Sequence, residues 1–365
     1  MAIHDAQKKI IYLAYNNPVL HPGINKKILQ TVSSFRLLGY KADALIISPP
    51  KGWHDLRMVR QILATDAEII IFRSHPWMLP CAFALAIQRL AGKKIIIDVP
   101  TPYQAAWQEI KIHYEPNKIK MIAALSVMAL TFPCCLWPAN KIIQYAPDSR
   151  YFSIGLKGKT ELHANGIESS HVPVRVQAPS WPAAEFTMIA VGRLAPWHGF
   201  DRIIHGIAIH QNKFRDVAMQ PRLIIVGDGP IRRSLEQLAH SLAVSDRVAF
   251  VGYQNGEDLD AMFAQSHIAI SSLGLFRKNL DIASDLKSRE YTARGMPFVA
   301  AANDMDFNPI PWFVFQVANS DTPLDIRALI EWYGRISTRV DLIGAIRLFA
   351  EQRLDFKQKA EAYLS

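Results

Sequence analysis

The stretch FTMIAVGRLAPWHGFDRIIHGIAIH, Phe186 to His210, joins a short apolar run to a helix-length segment through Gly192 and Pro196. A run of that length closed by glycine reads as a buried strand, and FDRIIHGIAIH reads as the helix that follows it. The same unit recurs along the chain. KKIIYLAY, ADALIIS, AEIIIFRS, KKIIIDVP and NKIIQYAP precede it, and PRLIIVGDG, RVAFVGY, HIAISSLG and PFVAAAN follow. Strands alternating with helices make a parallel sheet covered on both faces. The fold class is therefore α/β, with two doubly wound domains in series.

A proline-rich segment marks the join. VPVRVQAPSWPAA, Val172 to Ala184, cannot form a long helix and reads as an interdomain linker. The expected ranges are 1–172 for an N-terminal domain, 173–184 for the linker, 185–340 for a C-terminal domain, and 341–365 for a C-terminal helix returning to the first domain. In open α/β sheets ligands sit at the carboxyl ends of strands, so a cleft between two such domains is the expected site.

The chain has 365 residues, half of them hydrophobic and one-fifth charged, which is a globular composition. Cys81, Cys134 and Cys135 are too few for a disulfide framework or a zinc site, which points to a reducing compartment. The opening MAIHDAQKKIIYLAY has no long apolar core and no small-residue cleavage site, and reads as a first strand. Charge is uneven. Residues 1–180 carry 21 Lys and Arg against 11 Asp and Glu, a balance of +10, while residues 181–365 are nearly neutral. A basic half suits an anionic partner. No zinc-finger spacing, RNP-type aromatic pattern or long Lys/Arg run accompanies it, so nucleic acid is not that partner. From Met121 to Trp137 no residue is charged. The run is short for a spanning helix and holds Pro133, so it predicts a buried or surface-docked helix.

Several motifs carry candidate chemistry. Arg193 follows a strand and precedes a helix start at His198 and Gly199, and a cation beside free helix N–H groups suits a phosphate. Gly227 and Gly229 lack the third glycine of a dinucleotide fingerprint. Asp258 and Asp260 fall on an amphipathic helix, and Asp304 and Asp306 in a turn. SDLKSREYTARGMP, Ser284 to Pro297, crowds Lys287, Arg289 and Glu290 ahead of a helix-stopping glycine and proline.

Together PGINKKI at Pro22, HANGIE at His163, VGRL with His198-Gly199, VGDGP, DRVAFVGY and the SSLG…LKSREYTARGMP run resemble the retaining nucleotide-sugar glycosyltransferases of family 4, bacterial polysaccharide type, which have the GT-B fold. The resemblance implies the following roles. Gly23 and Gly192 bring backbone close to the donor. Arg193 and Lys287 neutralise its diphosphate, and Glu290 takes the ribose hydroxyls. His198 stands where the family commonly has a phosphate-binding lysine. Ile282 stands where it has a first glutamate, so either Asp281 substitutes as the carboxylate or the donor sugar is held differently. His75 contacts the acceptor or the transferred sugar, and Asp98, Tyr103 and Trp107 form the acceptor side. The catalytic group is then Arg193, Lys287 and His75.

The resemblance further implies a UDP- or GDP-sugar as co-substrate, no cofactor and no metal. The acceptor is a growing surface glycan or a lipid-linked sugar, met at the inner membrane face by the basic N-terminal domain of a cytoplasmic, peripheral enzyme. Ile282 and His198 motivate an alternative, a catalytically silent homologue that binds nucleotide sugar or serves as a scaffold.

Overall fold

A computed structural model describes residues 8–18, 22–50, 55–75, 79–148, 155–214 and 219–365; the first seven residues of the opening segment lie outside these. The chain divides into two compact units, Met1–Asn165 with Phe356–Ser365, and Gly166–Asp355.

In the first unit the chain runs β1 (Lys9–Tyr15), α1 (Pro22–Leu37), β2 (Lys41–Ile47), α2 (Arg57–Ala64), β3 (Ile69–Arg73), α3 (Leu79–Leu90), β4 (Lys94–Val99), α4 (Tyr103–His113), α5 (Lys118–Leu136), β5 (Lys141–Gln144) and β6 (Thr160–Leu162). All pairings are parallel, in the order β2-β1-β3-β4-β5-β6. Side chains on a strand alternate between faces, and both faces here are covered. Leu13, Ile70, Phe72, Ile95 and Ile97 meet α2, α3 and α5 on one side. Ile10, Tyr12, Ile71 and Ile96 meet α1 on the other. The first strand therefore pairs on both edges, and the order reverses between β1 and β3. That crevice is where an open α/β sheet binds ligands.

The second unit runs β7 (Glu185–Val191), α6 (Phe200–Lys213), β8 (Gln220–Val226), α7 (Arg232–Ser241), β9 (Val248–Gly252), α8 (Gly256–Ala264), β10 (Ile268–Ile270), α9 (Leu286–Ala293), β11 (Phe298–Ala300), β12 (Val314–Gln316), α10 (Ile326–Ser337) and α11 (Leu342–Phe349). Its sheet is also all parallel, in the order β12-β11-β10-β7-β8-β9, with the reversal between β7 and β10. Residues 173–184 form neither helix nor strand and belong to this unit.

The ten strands read from sequence are all present. The two missed, β6 and β12, are three-residue strands at the sheet edges. The C-terminal stretch read as one helix is two. After α11 a π turn at Ala350–Leu354 leads to extended Asp355, and α12 (Phe356–Leu364) then belongs to the first unit, beside α1. There Tyr363 meets Phe35 edge-on at 6.1 Å and hydrogen-bonds Tyr145.

Candidate functional site

The reversal between β7 and β10 brings two loops together, and Tyr291 of α9 ties them. Its hydroxyl donates to the carbonyl of Ile270 at 3.1 Å and accepts from the N–H of Val191 at 3.3 Å. Beyond Val191 comes Gly192, with φ of 143°. A Cβ there would lie 2.8 Å from Cε of Lys287, so a side chain at this left-handed position would displace the tip of that lysine. Beyond Ile270 come Ser271 and Ser272, and opposite them Asp285 caps α9, accepting from the N–H of Lys287 at 3.2 Å. The same carboxylate accepts from the Ser271 hydroxyl at 3.0 Å and from the Ser272 N–H at 3.3 Å.

Lys287 is directed from α9 toward the turn after β7. Its Nζ donates to Nδ1 of His198 at 2.7 Å and to the Ser272 hydroxyl at 3.4 Å. His198 ends a short 3-10 turn, Pro196–His198, and its ring stacks on Phe200 at 5.6 Å. Burial pushes its pKa well below the ordinary value, and the neighbouring Lys287 ammonium pushes it the same way. A neutral imidazole accepting at Nδ1 carries its proton on Nε2, so His198 is a neutral donor and not a second cation. Burial also lowers Lys287, to about 8, with Asp285 opposing the shift. Asp285 is held at about 2; its burial would raise it, and Lys287 and the hydrogen bonds from Ser272 and the Lys287 N–H outweigh that. The α6 helix starts at Gly199 without a side-chain cap, which leaves its first N–H groups for a ligand. This corner therefore offers an ammonium, a neutral N–H and helix amides to an anion.

Gly192, His198 and Lys287 thus come together as the sequence suggested. Arg193 is exposed in the same turn, and its charge is among those that lower His198. Glu290 lies one turn along α9 and is engaged by Arg294, whose Nε donates to it at 3.1 Å. Arg294 also holds Asp260 at 2.6 Å. Asp281 is exposed and accepts from Asn319 at 3.2 Å. Ile282 instead lines a cavity of about 380 Å³, with Ser271, Asp285, Ser288, Asn303 and Gln316. Arg289 is fully buried, donating to Asp304 at 2.8 Å and Asp306 at 2.8 Å. Those two carboxylates are therefore ion-pair partners. Sequence reasoning missed Asp285 and Ser272. Their signal was a serine pair at a strand end and an N-cap aspartate two residues before Lys287.

In the first unit, Gly23 is exposed in the first turn of α1, with open space where a Cβ would be. His75 follows β3 and its ring lies 5.1 Å from that of Tyr15, at the end of β1. Burial lowers its pKa to about 4, so it is neutral. The acceptor-side readings need correction. Asp98 shares the strand face of Ile96, toward α1, and is wholly buried. It accepts from Tyr12 and from Arg73 at 2.8 Å, with Nζ of Lys27 at 3.9 Å. It anchors an internal ion network and meets no solvent. Tyr103 packs into the core against Phe132 at 5.5 Å and Trp107 at 5.7 Å, so its ring is not an open stacking platform. Trp107 is half-buried against the same core. Asp98 is at the polar end of β4 and Tyr103 and Trp107 are on the helix that follows, and only the packing around each shows where it points.

Residues 176–275, which hold β7 to β10 and the His198 turn, match the family model described as Glycosyl transferases group 1. This segment is similar to the group 1 glycosyltransferases. The chain's whole length superposes on the catalytic domain of starch synthase IV from Arabidopsis thaliana, bound to ADP and acarbose, with a TM-score of 0.65 at 11% identity over 98% of each chain. The two parallel six-stranded sheets are thus the GT-B glycosyltransferase fold. The lipopolysaccharide core biosynthesis glycosyltransferase LpsD of Rhizobium meliloti is 33% identical over 102 residues, 28% of this chain and 27% of that one. A GDP-mannose-dependent alpha-(1-6)-phosphatidylinositol monomannoside mannosyltransferase of Mycobacterium tuberculosis is 27% identical over 280 residues, 73% of this chain and 66% of that one. The chain spans about a quarter of the first relative and just under two thirds of the second.

Proposed function

We propose that this protein is a retaining glycosyltransferase that moves a hexose from a UDP- or GDP-sugar to a growing surface glycan or lipid-linked acceptor, without a metal, at the cytoplasmic face of the membrane. One observation carries the reading: Lys287, neutral His198 and the uncapped start of α6 converge at the strand reversal of the second unit. An anion bound there meets charge, a hydrogen-bond donor and helix amides at once. Breaking a glycosyl–phosphate bond builds negative charge on the leaving diphosphate, so donors fixed at that position lower the barrier. Lys287 supplies the positive charge and His198 Nε2–H a hydrogen bond. Arg193, exposed at the rim, closes on the same diphosphate. Glu290 turns from Arg294 to the ribose hydroxyls, and His75 meets the sugar or the acceptor. The GDP-mannose-dependent relative and the ADP-bound structural neighbour support a nucleotide-linked donor.

A second reading has its own observation. Ile282 presents a methyl surface where a carboxylate would hold the sugar, and Asp281 is engaged by Asn319. On that reading the protein binds nucleotide sugar and turns nothing over.

The deciding experiment is a thermal-shift panel of UDP- and GDP-sugars on the purified chain, followed by turnover of whichever binds. A ligand at a hundred times its Kd adds about 2.7 kcal/mol of stability. Binding with slow hydrolysis of one donor, both lost in Lys287→Ala, upholds the transferase. Binding without turnover favours the second reading, and no binding to any donor removes both.

A further inference from the structure

We propose that the outer surface of α3 and α5 is a docking face for an anionic lipid bilayer, which two apolar stripes enter while lysines at their margin meet the headgroups. Helix α5 turns Leu125, Met128, Cys135 and Leu136 into the core. On the opposite side Ile119, Ile122, Leu130 and Trp137 are 83%, 61%, 75% and 66% exposed. With Ala123, Val127 and Cys134 between them these recur every three or four residues, which is one face of a helix. Helix α3 repeats the arrangement. Cys81 and Leu85 face inward, while Phe83, Ile87 and Leu90 are 68%, 56% and 89% exposed. The two helices pack on each other, and Arg89 of α3 donates to the carbonyl of Trp137 at 3.2 Å, fastening their ends together.

A surface helix ordinarily shows water a polar face, and one that is apolar all round belongs in a core or a membrane. Among the described residues α5 alone is long and apolar enough to cross a bilayer. Its inner face is committed to the sheet, so it lies flat, with the outer stripe in the acyl boundary and Trp137 at the headgroup level.

The occupant follows from charge. Lys118 and Lys120 open α5 and Lys111 lies near the end of α4, all three exposed. Lys157 is exposed in the turn before β6, where Nζ of Lys159 sits 3.4 Å from the Trp137 carbonyl. Glu109 and Glu115 are the acidic residues of α4 and the turn before α5. An acidic protein would match the lysines but not an uncharged outer stripe, whereas an anionic bilayer matches both. The proposal gives the enzyme proposed above its place of work, and rests on that reading only for its purpose.

The test is co-sedimentation of the full chain with phosphatidylcholine vesicles and with vesicles carrying a third phosphatidylglycerol, at low and high salt. The wild type is expected to follow the anionic vesicles, about tenfold more weakly without phosphatidylglycerol or in high salt. Ile122→Asp with Leu130→Asp is expected to lose about tenfold or more, and Lys118→Glu with Lys120→Glu to lose the preference for anionic lipid. Both pairs are exposed, and an unchanged Tm confirms that each variant folds. A wild type left in the supernatant, or an aspartate variant that sediments as before, overturns the proposal. So does a lipid-free dimer that the aspartate variant disperses, because the face is then an interface between copies. Nucleotide-sugar binding without vesicles reads the enzymatic proposal separately.

Discussion

Lys287 donates to Nδ1 of His198 at 2.7 Å, and that contact fixes the state of both groups. The imidazole is held neutral by burial and by the ammonium, and the ammonium is lowered to about 8 by burial. Deprotonating Lys287 removes the positive charge from this corner. For the free enzyme kcat/KM is therefore expected to fall on an alkaline limb with an apparent pKa of about 8. This loss is not unfolding. A lysine whose pKa is lower in the folded state gives stability that rises with pH from about 8 to the unfolded value of about 10.4. Lys287→Arg keeps its charge throughout, so the limb should move above about pH 10. An unchanged limb in that variant would assign it to another group.

Gly192→Ala tests the crowding at the same corner. The backbone there has φ of 143°, and the added methyl would sit 2.8 Å from Cε of Lys287. Strain of about 1–3 kcal/mol is expected, together with displacement of the lysine from His198. In kinetics the donor KM should rise at least about tenfold, because a tenfold change needs only about 1.4 kcal/mol. A variant with wild-type KM would show that Lys287 can occupy its place without Gly192.

The fold was legible because buried parallel strands need unbroken apolar runs, and the ten such runs are strands. What stayed hidden were β6 and β12, each at the outer edge of its sheet. At the candidate site, the turn at Gly192 and Arg193 and the helix starts near His198 and Lys287 left local marks in the sequence, while the roles expected of them came from the family resemblance. Asp285 was not legible, since its role depends on Ser271 and Ser272, fourteen and thirteen residues away. Asp98 misled for a related reason. A polar residue at a strand end reads as functional, and only the parity it shares with Ile96 reveals that it faces α1.

Arg289 is expected to matter for folding and not for the donor. Its guanidinium is wholly buried and holds Asp304 and Asp306. Arg289→Met leaves two largely buried carboxylates without their cation, a loss of about 3–5 kcal/mol. Urea denaturation should show a lower midpoint with an unchanged m-value. Where the variant still folds, its donor KM should stay within about threefold of wild type. A KM change far larger than the stability change would instead put Arg289 at the diphosphate.

Asp98 gives the last prediction, and its sign is fixed by the direction of its pKa. Burial alone would raise the carboxyl, but Lys27, Arg73 and the hydrogen bond from Tyr12 hold it below the ordinary value. A carboxyl lowered in the folded state adds stability that is complete above its unfolded pKa of about 3.9 and is lost as pH falls through the folded one. Asp98→Asn removes that contribution and leaves Arg73 and Lys27 facing a neutral group in a dry interior. The variant should be less stable at pH 7 by about 3–5 kcal/mol, and the gap from wild type should narrow as the pH is lowered below about 4. Urea midpoints at several pH values measure both. A constant gap across that range would mean that Asp98 is already protonated in the folded protein and that its network is held by neutral hydrogen bonds.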